Sequence, residues 1–220
     1  VSTYVEVEEN ANLSIHKIQK NGINAFDLQR EYVNQADNST FTMNTFPLSG
    51  KMTRNDLMIN VNGNNCETFM NGAYTLKGKS HCDNHTTVDH KVAHCYSKEL
   101  YKGVIDDRAT NVFNGKVFVR KDAQKINAFQ SNANILLSDT GTVNSKPELE
   151  IYADDVKCSH GSTTGQLDEE AVFYLRSRGL SEKSAKELLV KAFLGEVLEE
   201  VDHDDVRSYV EEQIELHFSA

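Results

Sequence analysis

Two residues near the end of the strand-rich part of this sequence could bind iron together. Cys158 and His160 stand two positions apart in the run Lys157-Cys158-Ser159-His160-Gly161. Because side chains alternate along a β-strand, a strand here would present both from the same side. A thiolate beside an imidazole suits iron, but two ligands cannot hold a cluster alone. The pair therefore predicts a site that needs ligands from elsewhere. The alternative is a buried cysteine with a hydrogen-bonded histidine.

A second group of potential metal ligands is denser but poorly spaced for a zinc site. It consists of His81, Cys82, Asp83, His85, Asp89, His90, His94 and Cys95. There is no Cys-x-x-Cys pair, which most structural zinc sites contain. On a strand, Cys82 points away from His81 and His85, although His81 and His85 share a face, as could His90 and His94. We expect polar ladder and corner residues of stacked coils, and metal handling by this group is the alternative.

The remaining chemical residues favour structural roles. Cys66 precedes an alternating run and is predicted to be a small inward-facing core residue. An acidic stretch contains Glu148, Glu150, Asp154 and Asp155. Paired carboxylates can hydrolyse glycosides, but only at a fixed separation that the sequence does not define. We expect a solvated acidic face.

Composition excludes several classes of partner. The chain has 220 residues and a formal net charge of −10, which disfavours nucleic acid and anionic membranes. No apolar run is long enough to cross a bilayer, and the first residues do not resemble a signal peptide. The four cysteines are too few for a disulfide framework and fit a reducing cytoplasm. Because the chain begins at Val1 in strand-like alternation, we expect a fragment of a larger protein.

The first three quarters of the chain read as short β-strands. Alternating runs such as Leu57-Met58-Ile59-Asn60-Val61 and Lys116-Val117-Phe118-Val119 are separated by Asn, Gly, Asp and Ser. A loose, irregularly spaced repeat favours a parallel β-helix, a solenoid with variable corners. The pairs Asn62-Gly63, Asn71-Gly72 and Asn114-Gly115 are typical of hairpins and keep an antiparallel sandwich open.

The last quarter predicts helices. Asp168 and Ser181 are suited to cap two of them, and a third follows residues 202–205. We therefore divide the chain into a β-helix core, residues 1–165, and a small C-terminal α-helical unit, residues 166–220. The apolar helix stripes must be buried, either on the end of the solenoid or on a partner chain.

Several longer motifs resemble those of the SufB/SufD family of iron–sulfur cluster assembly proteins. They are Glu99-Leu100-Tyr101-Lys102-Gly103-Val104, the run 112–117, Leu136-Leu137-Ser138-Asp139, the run 146–156, Lys157-Cys158-Ser159-His160-Gly161 and the run 165–170. The Cys-Ser-His-Gly run resembles the sequence found at this place in the SufD branch of the family. The resemblance implies a right-handed parallel β-helix flanked by helices, in a C-terminal fragment that lacks the N-terminal helical domain.

The resemblance also implies a function and partners. It predicts a non-catalytic scaffold that pairs with a SufB-type subunit through the β-helix end. His160 and Cys158 would face that subunit and handle iron or a cluster transiently. No cofactor or metal is expected to stay on the isolated chain. The C-terminal helices would dock a SufC-type ATPase, and for this role we assign Leu188, Phe193, Leu194 and Val197.

Other interpretations stay open at this point. The chain has no Gly-x-x-x-x-Gly-Lys-Ser/Thr loop, so it is not expected to hydrolyse ATP. A β-helix polysaccharide lyase or hydrolase is the alternative enzyme, although the spread of Lys and Arg along the chain and the C-terminal helices argue against it. A free-standing zinc or metal-storage protein would instead use the group between His81 and Cys95. An isolated solenoid with open edges could also form a homodimer.

Overall fold

A computed structural model describes the backbone of residues 1–219 and the side chains of residues 1–216. Twelve strands are followed by three helices. The strands are β1 Ser2–Val7, β2 Asn12–Lys20, β3 Phe26–Gln35, β4 Thr40–Ser49, β5 Met52–Val61, β6 Glu67–Leu76, β7 His81–His90, β8 Tyr96–Ile105, β9 Thr110–Val119, β10 Ile126–Leu136, β11 Thr142–Ile151 and β12 Val156–Gln166. The helices are α1 Glu169–Ser177, α2 Glu182–Leu198 and α3 Asp204–Ser219.

The strands form a parallel β-solenoid of about six turns. Odd-numbered strands make one six-stranded sheet and even-numbered strands make the other, and every pairing within each sheet is parallel. Successive strands therefore lie in opposite sheets, and each coil adds one strand to each. The predicted β-helix is confirmed, and the antiparallel sandwich is excluded.

The corners of successive coils stack on one another. Asn10, Asn38, Asn65 and His94 recur at one corner, each with a left-handed backbone, φ between 56° and 62°. Asparagine adopts this conformation more readily than most residues because its side chain bonds locally. Asn38 Nδ2 also donates to Asn10 Oδ1 at 3.3 Å, and Asn65 Nδ2 donates to Asn38 Oδ1 at 3.1 Å. These bonds hold neighbouring coils in register.

Two Asn-Gly pairs that suggested hairpins lie inside strands instead. Gly72 is in β6 and Gly115 is in β9. A Cβ at Gly72 would clash with the ring of Tyr101, and one at Gly115 would clash with Gln130. The glycines make room for large side chains in the next coil or the facing sheet, so they do not mark turns.

The core between the sheets is built from inward-facing alternating residues. Fully buried members include Phe41, Met43, Ile59, Tyr74, Ile105, Phe113 and Ile126. Polar side chains are buried there as well. Lys17 Nζ lies 3.0 Å from Glu31 Oε1 inside the first coils. Because burial disfavours the charged amine, it lowers the pKa of Lys17.

Helices α2 and α3 cover one lateral face of the solenoid. Asp168 Oδ1 caps α1, and Ser181 Oγ caps α2, as the sequence predicts. Residues of α2 and α3 share a second core with the outer face of the even-numbered strands; this core includes Phe46, Ala73, Leu100, Val104, Val190, Leu194, Val197, Val210 and Ile214. We expected the apolar stripes of the helices to be buried on the end of the solenoid or on a partner chain. For α2 and α3 this was wrong, because their stripes are buried on the side of the solenoid. No helix among residues 1–219 is long and apolar enough to cross a membrane.

Candidate functional site

The C-terminal end of the solenoid has two free strand edges. β11 and β12 are the last strands of their sheets, and each pairs on one side only. Most residues of β12 are exposed. A further strand, from another copy or another protein, could add to either edge because the backbone groups there already point outwards.

Cys158 and His160 lie on β12 and face the interior side of the last coil. They are in register with Ala128 and Gln130 of β10, whose side chains point between the sheets. No later coil covers them among the described residues, so His160 is exposed and Cys158 is half-buried. The sequence prediction that the two side chains share a face is confirmed. They lie at the open mouth of the solenoid.

Behind this mouth, polar side chains extend into the core. Ser162 Oγ donates to Ser145 Oγ at 2.8 Å, and Ser145 Oγ donates to Asn132 Oδ1 at 2.9 Å. Asn134 Nδ2 donates to the same oxygen of Asn132 at 2.8 Å, and Tyr74 Oη donates to Asn134 Oδ1 at 3.1 Å. A hydrogen-bonded series therefore joins the open end to a tyrosine buried in the third coil.

Cys158 is held mainly as a thiol. Burial raises its pKa, against the opposing effect of a hydrogen bond with the backbone of Ala128. A metal that binds at this position must therefore displace the thiol proton. The imidazole of His160 beside it offers a second, solvent-accessible donor. The arrangement can contribute two ligands to a shared site, with the rest supplied from outside the chain.

The group from His81 to Cys95 does not converge. His81 and His85 share a face of β7, as expected, and that face points outwards, whereas Cys82 and His90 are buried inside the solenoid. His94 lies on a corner and shares no face with His90. No cluster of three or more His, Cys, Asp or Glu side chains suited to a metal occurs among the described residues.

The outward members of that group belong to an ionic network. His85 Nε2 lies 2.8 Å from Asp83 Oδ1, and Arg54 Nη1 donates to Asp83 Oδ2 at 2.6 Å. Arg54 also donates from Nη2 to Asp56 Oδ1 at 2.9 Å. Hydrogen bonding to this carboxylate raises the pKa of Arg54, more than burial lowers it. The predicted polar ladder is confirmed here.

Cys66 is a buried core residue, as predicted, but it has a neighbour that the sequence did not indicate. Cys95 occupies the equivalent corner of the next coil, because Glu67 and Tyr96, which follow the two cysteines, are in register. The neighbouring Cys95 side chain and Ser39 lower the pKa of Cys66, against the effect of burial. The same contact, together with burial, raises the pKa of Cys95.

The acidic residues of β11 are paired with lysines on the outer face. Glu148 Oε1 lies 2.7 Å from Lys146 Nζ, and this hydrogen bond lowers the pKa of Glu148. Glu150 Oε1 lies 2.5 Å from Lys116 Nζ. Two carboxylates that are each held by a lysine on an exposed sheet form a solvated ionic face, as expected.

The structure corrects half of the set assigned to ATPase docking. Leu194 and Val197 are completely buried against the sheet and cannot touch a partner while α2 is docked. Phe193 is half-buried, and Lys102 Nζ lies 4.7 Å from its ring centroid. Only Leu188 is freely exposed, at 46%. The apolar stripe of α2 was identified correctly, but its main role is to attach the helix to its own chain.

Sequence reasoning missed a neighbouring apolar surface on α1. Phe173 and Tyr174 are 72% and 56% exposed, the first of them at the rim of a groove of about 780 Å³. The groove lies between α1, the start of α2 and the end of β10; its walls include Leu137, Leu167, Val172, Lys183 and Lys186. The sequence signal for this surface was the pair of adjacent aromatic residues in a nine-residue helix. Adjacent positions point in different directions around a helix, so one narrow buried stripe does not cover both aromatic side chains.

Comparison with known proteins identifies the family. The family model described as "SUF system FeS cluster assembly, SufBD core domain" matches residues 1–193. The chain is 37% identical over 193 residues to an iron–sulfur cluster assembly SufBD family protein of Synechocystis, and 35% identical over 175 residues to the iron–sulfur cluster assembly protein SufD of Escherichia coli. The chain belongs to the SufBD family.

The similarity covers most of this chain but a smaller part of its relatives. The two alignments include 88% and 80% of the chain, and 43% and 41% of the Synechocystis and Escherichia coli proteins. A SufBD family protein of Mycobacterium leprae is 33% identical over 171 residues, with 74% of the chain and 44% of that protein aligned. The chain thus spans less than half the length of these relatives.

Proposed function

We propose that the chain is the core and C-terminal part of a SufD-type scaffold subunit that takes part in iron–sulfur cluster assembly and catalyses no reaction itself. The observation that carries this proposal is the placement of His160 and Cys158 at the open, unpaired end of the solenoid. Family membership and the similarity to a protein named SufD support it.

The proposed partner at this end is a SufB-type subunit. Its terminal strands would continue the two sheets from the free edges of β11 and β12, which supplies backbone hydrogen bonds without rearrangement. The iron or cluster is cargo at the joint, held transiently by His160, Cys158 and ligands of the partner. Because two ligands from one chain bind iron weakly, the isolated chain retains no cluster.

The proposed docking surface for a SufC-type ATPase is the exposed apolar part of α1 beside the groove. It comprises Phe173 and Tyr174 and replaces the buried part of the earlier set. Leu188, on a different side of α2 from Lys183 and Lys186, is kept as a second, separate contact. Large exposed apolar side chains beside a groove are typical of a protein contact. The charges that line the groove balance: three residues are acidic, Asp106, Glu169 and Glu182, and three are basic, Arg176, Lys183 and Lys186.

The cluster role is tested with His160→Ala in the full-length protein, co-expressed with its SufB-type and SufC-type partners. We expect an intact complex with a reduced yield of cluster, measured by iron and sulfide content and visible absorption. Ser159→Ala is the matched control, because its side chain lies on the opposite face of the same strand. Wild-type cluster yield from His160→Ala would remove His160 from the site.

The docking role is tested by co-purification with the ATPase. Phe173→Glu and Tyr174→Glu should each weaken the complex, whereas Leu216→Glu, at a similarly exposed position on α3, should not. Deleting residues 168–220 is a poorer test, since it uncovers Phe46, Leu100 and Val104 on the sheet. Undiminished ATPase binding by both glutamate variants would refute the proposed surface.

A further inference from the structure

Cys66 and Cys95 form a pair of free thiols at one corner of the solenoid. Each directly precedes a strand, and Tyr96 N donates to Cys66 O at 2.9 Å, which fixes the two corners on adjacent coils. The side chains are almost fully buried, at 1% and 2% exposed. They lie just beneath the surface, because the preceding residues, Asn65 and His94, are exposed.

The two sulfur atoms converge. Cys66 Sγ lies 3.1 Å from Gly63 O, and Cys95 Sγ lies 3.4 Å from the same oxygen. The corners that carry the two cysteines are stacked one strand spacing, about 4.8 Å, apart, and the side-chain torsion of each cysteine sets the distance between the sulfur atoms. A metal held linearly between two thiolates, with bonds of roughly 2.3 Å as for zinc, needs a sulfur–sulfur distance of about 4.6 Å. The spacing of the coils therefore suits a two-coordinate metal.

We propose that Cys66 and Cys95 are a two-thiolate site for one soft monovalent cation, of which Cu(I) is the biological example. Thiolates select such ions, whereas Zn²⁺ requires four ligands. The other groups near the Cys66 sulfur are neutral: Ser39 Oγ and the carbonyl oxygens of Ala36 and Gly63. Among the described residues, no third His, Cys, Asp or Glu completes a larger cluster. Binding releases the thiol protons to solvent, and the site is independent of the cluster-assembly role.

The test uses Cu(I) itself, added anaerobically to the reduced chain in competition with a colorimetric Cu(I) chelator. A Cys158→Ser background removes the accessible thiol, which would otherwise compete. We expect about one tightly held copper per chain, with two sulfur ligands in X-ray absorption. Adding Cys66→Ser or Cys95→Ser should abolish this binding. Adding Cys82→Ser should preserve it, since Cys82 is buried on another strand.

Serine is a benign replacement at this corner, because Ser39 occupies the equivalent position one coil earlier, 3.5 Å from Cys66 Sγ. Circular dichroism checks each variant, and alanine replaces serine in any that fails to fold. The proposal is overturned if copper binding persists without Cys66 or Cys95, if it depends on Cys82, or if the background protein cannot retain copper against the chelator.

Discussion

Gln130 Nε2 donates a 2.7 Å hydrogen bond to Glu99 Oε2 in the interior of the solenoid. The two residues lie on neighbouring strands of one sheet, and Gln130 is one coil before His160. Thr86 Oγ1 donates to the other carboxyl oxygen of Glu99 at 2.6 Å. Both bonds favour the carboxylate, yet complete burial outweighs them and raises the pKa of Glu99 to about 7. Gln130 Oε1 is buried without a hydrogen-bond donor. A protonated Glu99 could donate to this oxygen if the amide rotated.

Glu99→Gln is expected to stabilise the protein at alkaline pH. The pKa of Glu99 is raised on folding. Its contribution to the free energy of unfolding is therefore complete below pH 4.5 and is lost as the pH rises through 7. The loss at pH 8 is about 3 kcal/mol, which glutamine avoids. Urea unfolding between pH 5 and pH 8 measures it. Thr86→Val, which removes one hydrogen bond but keeps the carboxyl group, should retain the pH slope. Equal slopes for wild type and Glu99→Gln would contradict the assignment.

His90→Gln is expected to remove a stability loss on the acid side. Burial lowers the pKa of His90 to about 4, and its Nε2 lies 3.0 Å from Ser97 Oγ. The contribution of neutral His90 to the free energy of unfolding is complete above pH 6.5 and is lost as the pH falls through 4. The loss is about 3 kcal/mol. Glutamine can keep a bond to Ser97, and Gln35 occupies the same column two coils earlier. The check is urea unfolding between pH 4 and pH 7, with the exposed His94→Gln as control. An unchanged acid slope in His90→Gln would count against a neutral buried histidine.

Gly103→Ala is expected to destabilise the fold strongly. A Cβ at Gly103 would overlap the ring of Tyr74, which is fully buried and hydrogen-bonded to Asn111 and Asn134. Such overpacking costs about 3 kcal/mol, measured by urea unfolding. Gly161→Ala is the control, because a Cβ added at Gly161 of β12 meets no atom within 4 Å. A similar small effect of both substitutions would show that Tyr74 can move aside.

Much of the fold could be predicted because strand alternation and turn residues are local signals. They indicated parallel coils, and the cap residues Asp168 and Ser181 located two helix starts. The surface that each helix covers depends on tertiary packing, which periodicity does not specify. Leu188 and Leu194 are both apolar residues of α2, yet one is exposed and the other is buried.

The candidate site at Cys158 and His160 was predicted only in part, because alternation is a local signal and the position of a strand in its sheet is not. Alternation correctly placed Cys158 and His160 on one side of a strand, but it could not show that this strand is the last of its sheet. The pairing of Cys66 with Cys95 depends on how many residues each coil contains. Corners of variable length hide that number in the sequence.

Lys102→Met is expected to loosen the attachment of α2 to the solenoid. Lys102 Nζ donates to the backbone oxygen of Phe193 at 3.1 Å, also contacts Glu196, and lies over the Phe193 ring. Because the lysine is mostly buried, its charged hydrogen bonds are worth about 1–3 kcal/mol of unfolding free energy. Urea unfolding and hydrogen exchange of the α2 amides measure the loss. Lys98→Met is the control, because its pair with Glu200, at 2.8 Å, is more exposed and is expected to contribute less than about 1 kcal/mol. If Lys98→Met proved as damaging as Lys102→Met, or α2 exchanged at its wild-type rate without Lys102, the helix would be held by its apolar face alone.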